Sequence, residues 1–306
     1  MTTQTIDVKK DDWTPLLTYR YLRMIMVLPA TFLFLATLFE AASRGWVFRD
    51  SISDSYQGPV RDVFVGALMA SGICMIAYKG RSKLEDYALN FAGFNAFFVA
   101  LVPNNFTAVL NESATTSITT GDVITRQQML TNLRFVLIAL LITAAFFTYL
   151  DYQLMNWKAF RWGKDETKFA SALAVISWVT EIVFVLVIVG GVIVGQQTLF
   201  GLSIFGLLHL TAAALLIANL SFAAASHAFP RKLRSLQLNA DAEKTSDSAL
   251  RGYRLIVFAM WGGLIIGGLC IYLGIGYSVI VTENVEIGLF VAYWLVATRR
   301  DWSNPL

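Results

Sequence analysis

Residues 201–226 read GLSIFGLLHLTAAALLIANLSFAAAS, a run with no Asp, Glu, Lys or Arg and a single histidine, His209. As helix, this run exceeds the roughly 20 apolar residues needed to cross a hydrocarbon layer about 30 Å thick. Helix is the expected form because lipid offers backbone N–H and C=O groups no partners. Seven further apolar blocks follow the same pattern: about Tyr21–Ala42, Asp62–Tyr78, Tyr87–Val102, Asn132–Leu150, Ser171–Gly195, Tyr253–Gly276 and Tyr277–Thr298. The second and third are short, as thin or tilted spans would be. Few segments alternate as an outer-membrane strand does. The expected fold is therefore all-α, a polytopic bundle of about eight transmembrane spans. It forms a single domain over residues 1–306, with a polar N-terminal segment at 1–20, an outer loop at 103–131 and a cytoplasmic loop at 227–252.

Composition agrees. Hydrophobic residues make up 56% of the chain and charged residues 15%, against about 25% charged in ordinary soluble domains. There is too little polar surface here to cover a soluble core. Cys74 and Cys270 both fall inside apolar blocks and read as small buried residues, neither a disulfide framework nor a zinc site. The first 23 residues are polar for too long to be a signal-peptide n-region, so the first apolar block is read as a retained helix.

Lysine and arginine set the expected orientation. Nineteen of the 24 fall in the N-terminal segment, the second-to-third, fourth-to-fifth and sixth-to-seventh connections, and the C-terminus. The alternate connections hold only Arg44, Arg49, Arg61, Arg126 and Arg134. Cytoplasmic loops carry the positive excess, so both termini are expected in the cytoplasm. The outer loop holds two glycosylation-type tripeptides, at Asn105 and Asn111, which read as solvated loop.

Ionisable residues within membrane helices are costly and usually face the protein interior. Glu181 lies near the midplane of the fifth block. Glu40, Arg61, Asp62, His209, Glu283 and Glu286 share one depth in the outer half, beneath a loop holding Ser51 and Ser53. A histidine beside carboxylates there suits proton exchange, ligand binding or general-base work. Plainer readings stand beside this one. Asp62 caps its helix and pairs with Arg61; Glu283 rests in the headgroup zone without a specific partner; His209 and Glu181 hydrogen-bond neighbouring helices; His227 is a surface residue. With two histidines on opposite sides of the membrane and no HxxxH or HExxH, no metal is expected. No GxSxG, Walker loop or GxGxxG occurs, so no cofactor is implied, and no basic groove interleaved with aromatics points to nucleic acid. Gly191 with Gly195, and Gly263 with Gly267, form small-xxx-small patterns. These serve close packing within the bundle or against a second copy or a membrane partner.

Three stretches resemble a group of uncharacterised bacterial multi-span membrane proteins. They are SISDSYQGPVRDVFVGALMASGICMIAYKG (51–80), LHLTAAALLIANLSF (208–222) and ENVEIGLFVAYWLVATR (283–299). The group is distantly similar to the Frag1/DRAM/Sfk1 membrane proteins. The matching positions are Ser51, Ser53, Arg61, Asp62, His209, Glu286 and Trp294. About a third of the chain is covered, and the fourth and fifth blocks stand as two extra spans between the matching parts. The resemblance implies a bacterial cytoplasmic membrane and supplies candidate residues, not an activity. The leading expectation is a membrane protein that binds or transports a lipid headgroup or small polar ligand in an outward-facing polar pocket. The alternatives are an intramembrane lipid hydrolase or transferase, with His209 as base oriented by Asp62 or Glu286, and a scaffold or assembly subunit. Membrane lipids are the expected surroundings in each case.

Overall fold

Pro29 has no N–H and its ring clashes with the carbonyl four residues earlier, and that is where the first helical run breaks. Helix α1 covers Trp13–Ile25 and α2 covers Val27–Ser43, with Met26 as the joint. The structure, a computed structural model, describes residues 13–80, 82–104, 126–154, 168–194, 198–199, 202–230 and 247–303. After a 3-10 turn at Ile52–Gln57 come α3 (Arg61–Ala77), α4 (Lys83–Leu101), α5 (Arg126–Leu154) and α6 (Lys168–Val194). A minimal antiparallel pair, β1 (Thr198–Leu199) with β2 (Leu202–Ser203), leads into α7 (Ile204–Ala228). Then follow α8 (Asp247–Tyr272) and α9 (Ser278–Ser303). The sequon asparagines and Gly195 lie outside the described residues, as do most of the 103–131 and 227–252 loops. The polar segment expected at 1–20 is already helical from Trp13.

Among the described residues, five stretches are long and apolar enough to cross a membrane: Arg20–Ser43, Gln127–Leu150, Ile204–Ala228, Ser248–Tyr272 and Ser278–Arg299. The protein is therefore a helical membrane protein, its one minimal strand pair among the described residues aside. Helices α3 and α4 fall short for local reasons. Helix α3 has 17 residues, about 25 Å of helix, and α4 opens with Lys83, Glu85 and Asp86. Helix α6, 27 residues long, carries the apolar run Trp178–Gly190 among the described residues.

The bundle is apolar outward. Phe39, Ile142, Phe146, Leu186, Leu255, Phe258 and Ile265 are all at least 60% exposed, a surface that water does not tolerate at this extent. The hydroxyls of Thr31, Thr143, Thr148 and Thr180 each donate to the carbonyl four residues back. Those polar groups are thus satisfied within their own helix, as a lipid-facing surface requires.

Inside, the core forms two clusters, one at each end. The first gathers Leu33, Phe64, Phe98, Val102, Phe184 and Phe205. The second centres on Trp294, with Tyr78, Met75, Leu84 and Tyr253 around it; Tyr78 meets the Trp294 ring edge-on at 5.0 Å. Helices α3 and α4 approach most closely at Gly72 and Gly93. A Cβ on Gly93 would stand 2.6 Å from the Gly72 carbonyl oxygen, and one on Gly72 would stand 2.9 Å from that of Gly93. Van der Waals contact between small residues is the main adhesive between helices in lipid. Gly263 and Gly267 are used in the same way: their vacant Cβ positions are taken by Glu286 and Thr282 of α9. The chain turns from α8 to α9 through a Schellman ending. Gly274 is left-handed at φ 69°, with Ile275 N–H donating to Cys270 O and Gly274 N–H to Ile271 O.

Gly93→Val is expected to lower stability by about 1–3 kcal/mol, the usual range for overpacking. Gly66→Ala, at a position with nothing within 4 Å, is expected to change little. Thermal unfolding of both variants in detergent or nanodiscs checks the pair; equal midpoints would deny the α3–α4 contact.

Candidate functional site

Ser51 starts the 3-10 turn. Its hydroxyl oxygen accepts the Ser53 N–H at 3.0 Å and donates its own hydrogen to Glu283 Oε1 at 2.7 Å. The Ile52 N–H donates to Glu283 Oε2 at 2.6 Å, and Ser53 Oγ lies 3.3 Å from Glu283 Oε1. One carboxylate on α9 thus gathers three consecutive residues of the turn. The backbone adds a further tie, Ile280 N–H to Asp50 O at 3.0 Å. Burial pushes the carboxyl of Asp54, in the same turn, above its ordinary range.

On the other side of the turn, Ser53 Oγ meets His209 Nε2 at 2.8 Å, and His209 Nδ1 meets the Val102 carbonyl at 2.6 Å. A carbonyl only accepts, so Nδ1 carries the hydrogen. In the neutral ring, Nε2 then accepts from the Ser53 hydroxyl. The ends of α4, α7 and α9 are joined through Ser53 in this way. Ser51, Ser53 and His209 are all buried.

Beneath the turn lies a cavity of about 140 Å³ between α2, α3, α4, α7 and α9, bordered by residues of both core clusters. Its walls are apolar except for Ser53, Ser71, Glu283 and Glu286. Glu286 is 6% exposed, and neither carboxyl oxygen has a hydrogen-bond partner among the described residues. Gly263 of α8 leaves room beside it: a Cβ there would stand 2.1 Å from Glu286 Oε1.

Glu181 belongs to a separate group. Its Oε1 accepts from Asn95 Nδ2 at 2.9 Å and Asn219 Nδ2 at 2.7 Å, which ties α6 to α4 and α7. Asp62 and Arg61 are exposed on the first turn of α3, away from the cavity wall. Arg61 lies over the Tyr56 ring at 4.9 Å, and Asp62 sits in the first turn of α3, where the positive helix end favours a carboxylate. Of the expected trio Asp62, His209 and Glu286, only Glu286 lines the cavity; His209 stands behind the wall, bonded to the lining residue Ser53.

Two sequence readings are corrected. Glu283 is not a partnerless headgroup-zone residue; its rotation on α9 turns it inward onto the outer turn. His227 is not a surface residue. It is buried, with Nε2 2.9 Å from Glu85 Oε1, and its ring is stacked on Tyr253. Tyr293 donates to the same Glu85 oxygen at 3.0 Å. Sequence reading missed Glu85 and Tyr293, although Ser82-x-x-Glu85 is a capping signature that marks a helix start. Ser82 Oγ does accept the Glu85 N–H, at 3.0 Å. Arg23, also buried, reaches Tyr78 and the Ala297 carbonyl near this inner cluster.

No protein-family model, curated protein or solved structure matches the chain. The class is set by the fold: a helical membrane protein with a polar-flanked cavity inside its bundle.

Glu283→Ala removes the acceptor of the Ile52 N–H and the Ser51 hydroxyl. Each stranded buried donor costs about 1–3 kcal/mol. Asp62→Ala, at an exposed site, is expected to stay within about 0.5 kcal/mol of the parent. Thermal unfolding measured side by side tests this, and equal losses would refute the assignment of Glu283 as the anchor of the turn.

Proposed function

We propose that the protein is a multi-span membrane protein that binds or transports a small amphipathic ligand within its bundle, the apolar part lodging in the cavity beneath the outer turn. The observation that carries this is the cavity itself. Its volume, about 140 Å³, is close to that of apolar cavities known to take benzene-sized groups. An apolar wall with a few convergent polar groups is the usual build of a ligand site. The expected lipid headgroup or small polar ligand is narrowed by this shape to a molecule with a short apolar body.

The eight-span topology with cytoplasmic ends is part of the same proposal. Contacts support its alternation. Trp178, Glu181 and Phe184 of α6 meet Phe91, Asn95 and Phe98 of α4 in that order, so these two helices run parallel. Arg23, Tyr78, Glu85, His227 and Tyr293 gather at one end of the bundle, and Asp50, Val102, His209 and Ile280 at the other. The lysine and arginine bias assigns the first of these ends to the cytoplasm.

A photoreactive diazirine analogue of 1-octanol tests the ligand reading in membranes. Saturable labelling of cavity residues on α3, α7 and α9, lost in Ala213→Phe, is expected. Non-saturable labelling spread over lipid-facing residues such as Phe258, unchanged in Ala213→Phe, would refute it.

A second reading, intramembrane acyl hydrolysis or transfer, is favoured by one observation: the 2.8 Å contact of Ser53 Oγ with His209 Nε2, with Nδ1 fixed by a carbonyl. Ser53 would attack an ester carbonyl and pass its proton through His209 to the leaving alcohol. It ranks second because Glu283 holds the nearby Ile52 N–H and sets a carboxylate 3.3 Å from Ser53 Oγ, where an oxyanion needs donors. Covalent capture of Ser53 by a fluorophosphonate probe would reverse the order.

A further inference from the structure

We propose that the cavity is selective for a lipophilic amine, whose ammonium group is received by the Glu286 carboxylate while its short hydrocarbon part fills the apolar space. This deepens the ligand-binding reading above and rests on it. Three observations converge. First, the ionisable side chains on the cavity wall are both acidic, Glu283 and Glu286, and no basic side chain from α2, α3, α4, α7 or α9 is among those lining it. Second, the two carboxylates are in different states of use. Glu283 accepts from the Ser51 hydroxyl and the Ile52 N–H, one on each oxygen, whereas both Glu286 oxygens lack a hydrogen-bond partner among the described residues at 6% exposure. A buried carboxylate without a partner is costly, and an ammonium group supplies both the counter-charge and the hydrogen-bond donors that this site lacks. Third, the neighbouring helix leaves room for this carboxylate: α8 carries Gly263 beside it, and a Cβ there would stand 2.1 Å from Oε1.

The hydroxyl of Ser71, also on the wall, provides a neutral polar contact within the same space. An alkanoate of equal length brings a third carboxylate to a wall that already has two, and an alkanol brings a single donor and no charge. The expected order of affinity is therefore ammonium, then alcohol, then carboxylate. The order follows from charge alone, because the hydrocarbon part is the same in all three.

Competition against the photoreactive octanol analogue on the full-length protein in nanodiscs tests this with three probes: octylammonium, 1-octanol and octanoate. Octylammonium is expected to displace the label most strongly and octanoate least. Glu286→Gln is expected to weaken octylammonium by about thirtyfold or more, as for loss of one partner of a buried charge pair, while 1-octanol is unchanged. Glu286→Asp, which keeps the charge, is expected to restore most of the preference, so the result does not depend on one variant folding well. Saturable labelling with the three probes competing equally, or with the ammonium preference intact in Glu286→Gln, would overturn the amine assignment and leave the cavity reading standing. Absence of saturable labelling would overturn both.

Discussion

Glu283 governs the outer half of this protein. Without its carboxylate, the Ile52 N–H and the hydroxyl of Ser51 would be buried without an acceptor, and the 3-10 turn would lose its main hold on α9. With it, the turn is drawn down between the helix ends, Ser53 is brought to His209, and His209 is brought to the end of α4. The cavity has a polar outer end only because those groups are held there. In a low-dielectric interior unpaired polar groups are costly; the turn pairs its groups at Ser51, Ile52 and Ser53 and leaves the buried Ser55 hydroxyl without a partner among the described residues.

Glu286, one turn further along α9, is the contrast. The same helix face carries one carboxylate with a donor on each oxygen and another with no hydrogen-bond partner among the described residues. The first shapes the site; the second is left for something that enters it. Small residues allow this arrangement. Gly263 makes room for the carboxylate and Gly267 for Thr282, so the glycine pattern on α8 is taken up by α9 of the same chain.

The sequence made depth legible but not rotation. Apolar runs and their charged flanks mark where helices lie, so each block around α5 to α9 overlaps an observed helix, with ends displaced by up to six residues. Depth also placed His209, Glu286 and Ser53 at a common level. It said nothing about which side of a helix faces inward: Asp62 shares that level and points out, while Glu283 shares it and points in. His227 near a helix end, beside a proline and a basic stretch, carries every sign of a surface residue. Its burial depends on Glu85, Tyr253 and Tyr293, which come from three other helices. Contacts of that kind leave no local pattern. The Ser82 cap was legible, and it would have moved the start of α4 back from Tyr87 to where the helix begins.

The Glu283-held turn contributes Ile52 and Ser53 to the cavity lining and is expected to limit entry from the outer side. The most direct test of that claim is the reactivity of a cysteine placed at Ser71, a buried position on the cavity wall, with Cys74 and Cys270 replaced by alanine. The rate of modification by a membrane-impermeant methanethiosulfonate, added from the outer side of oriented vesicles, is compared between Glu283 and Glu283→Ala proteins. Slow reaction with Glu283 present and markedly faster reaction without it is the expected result. Equal rates in the two proteins would contradict the claim.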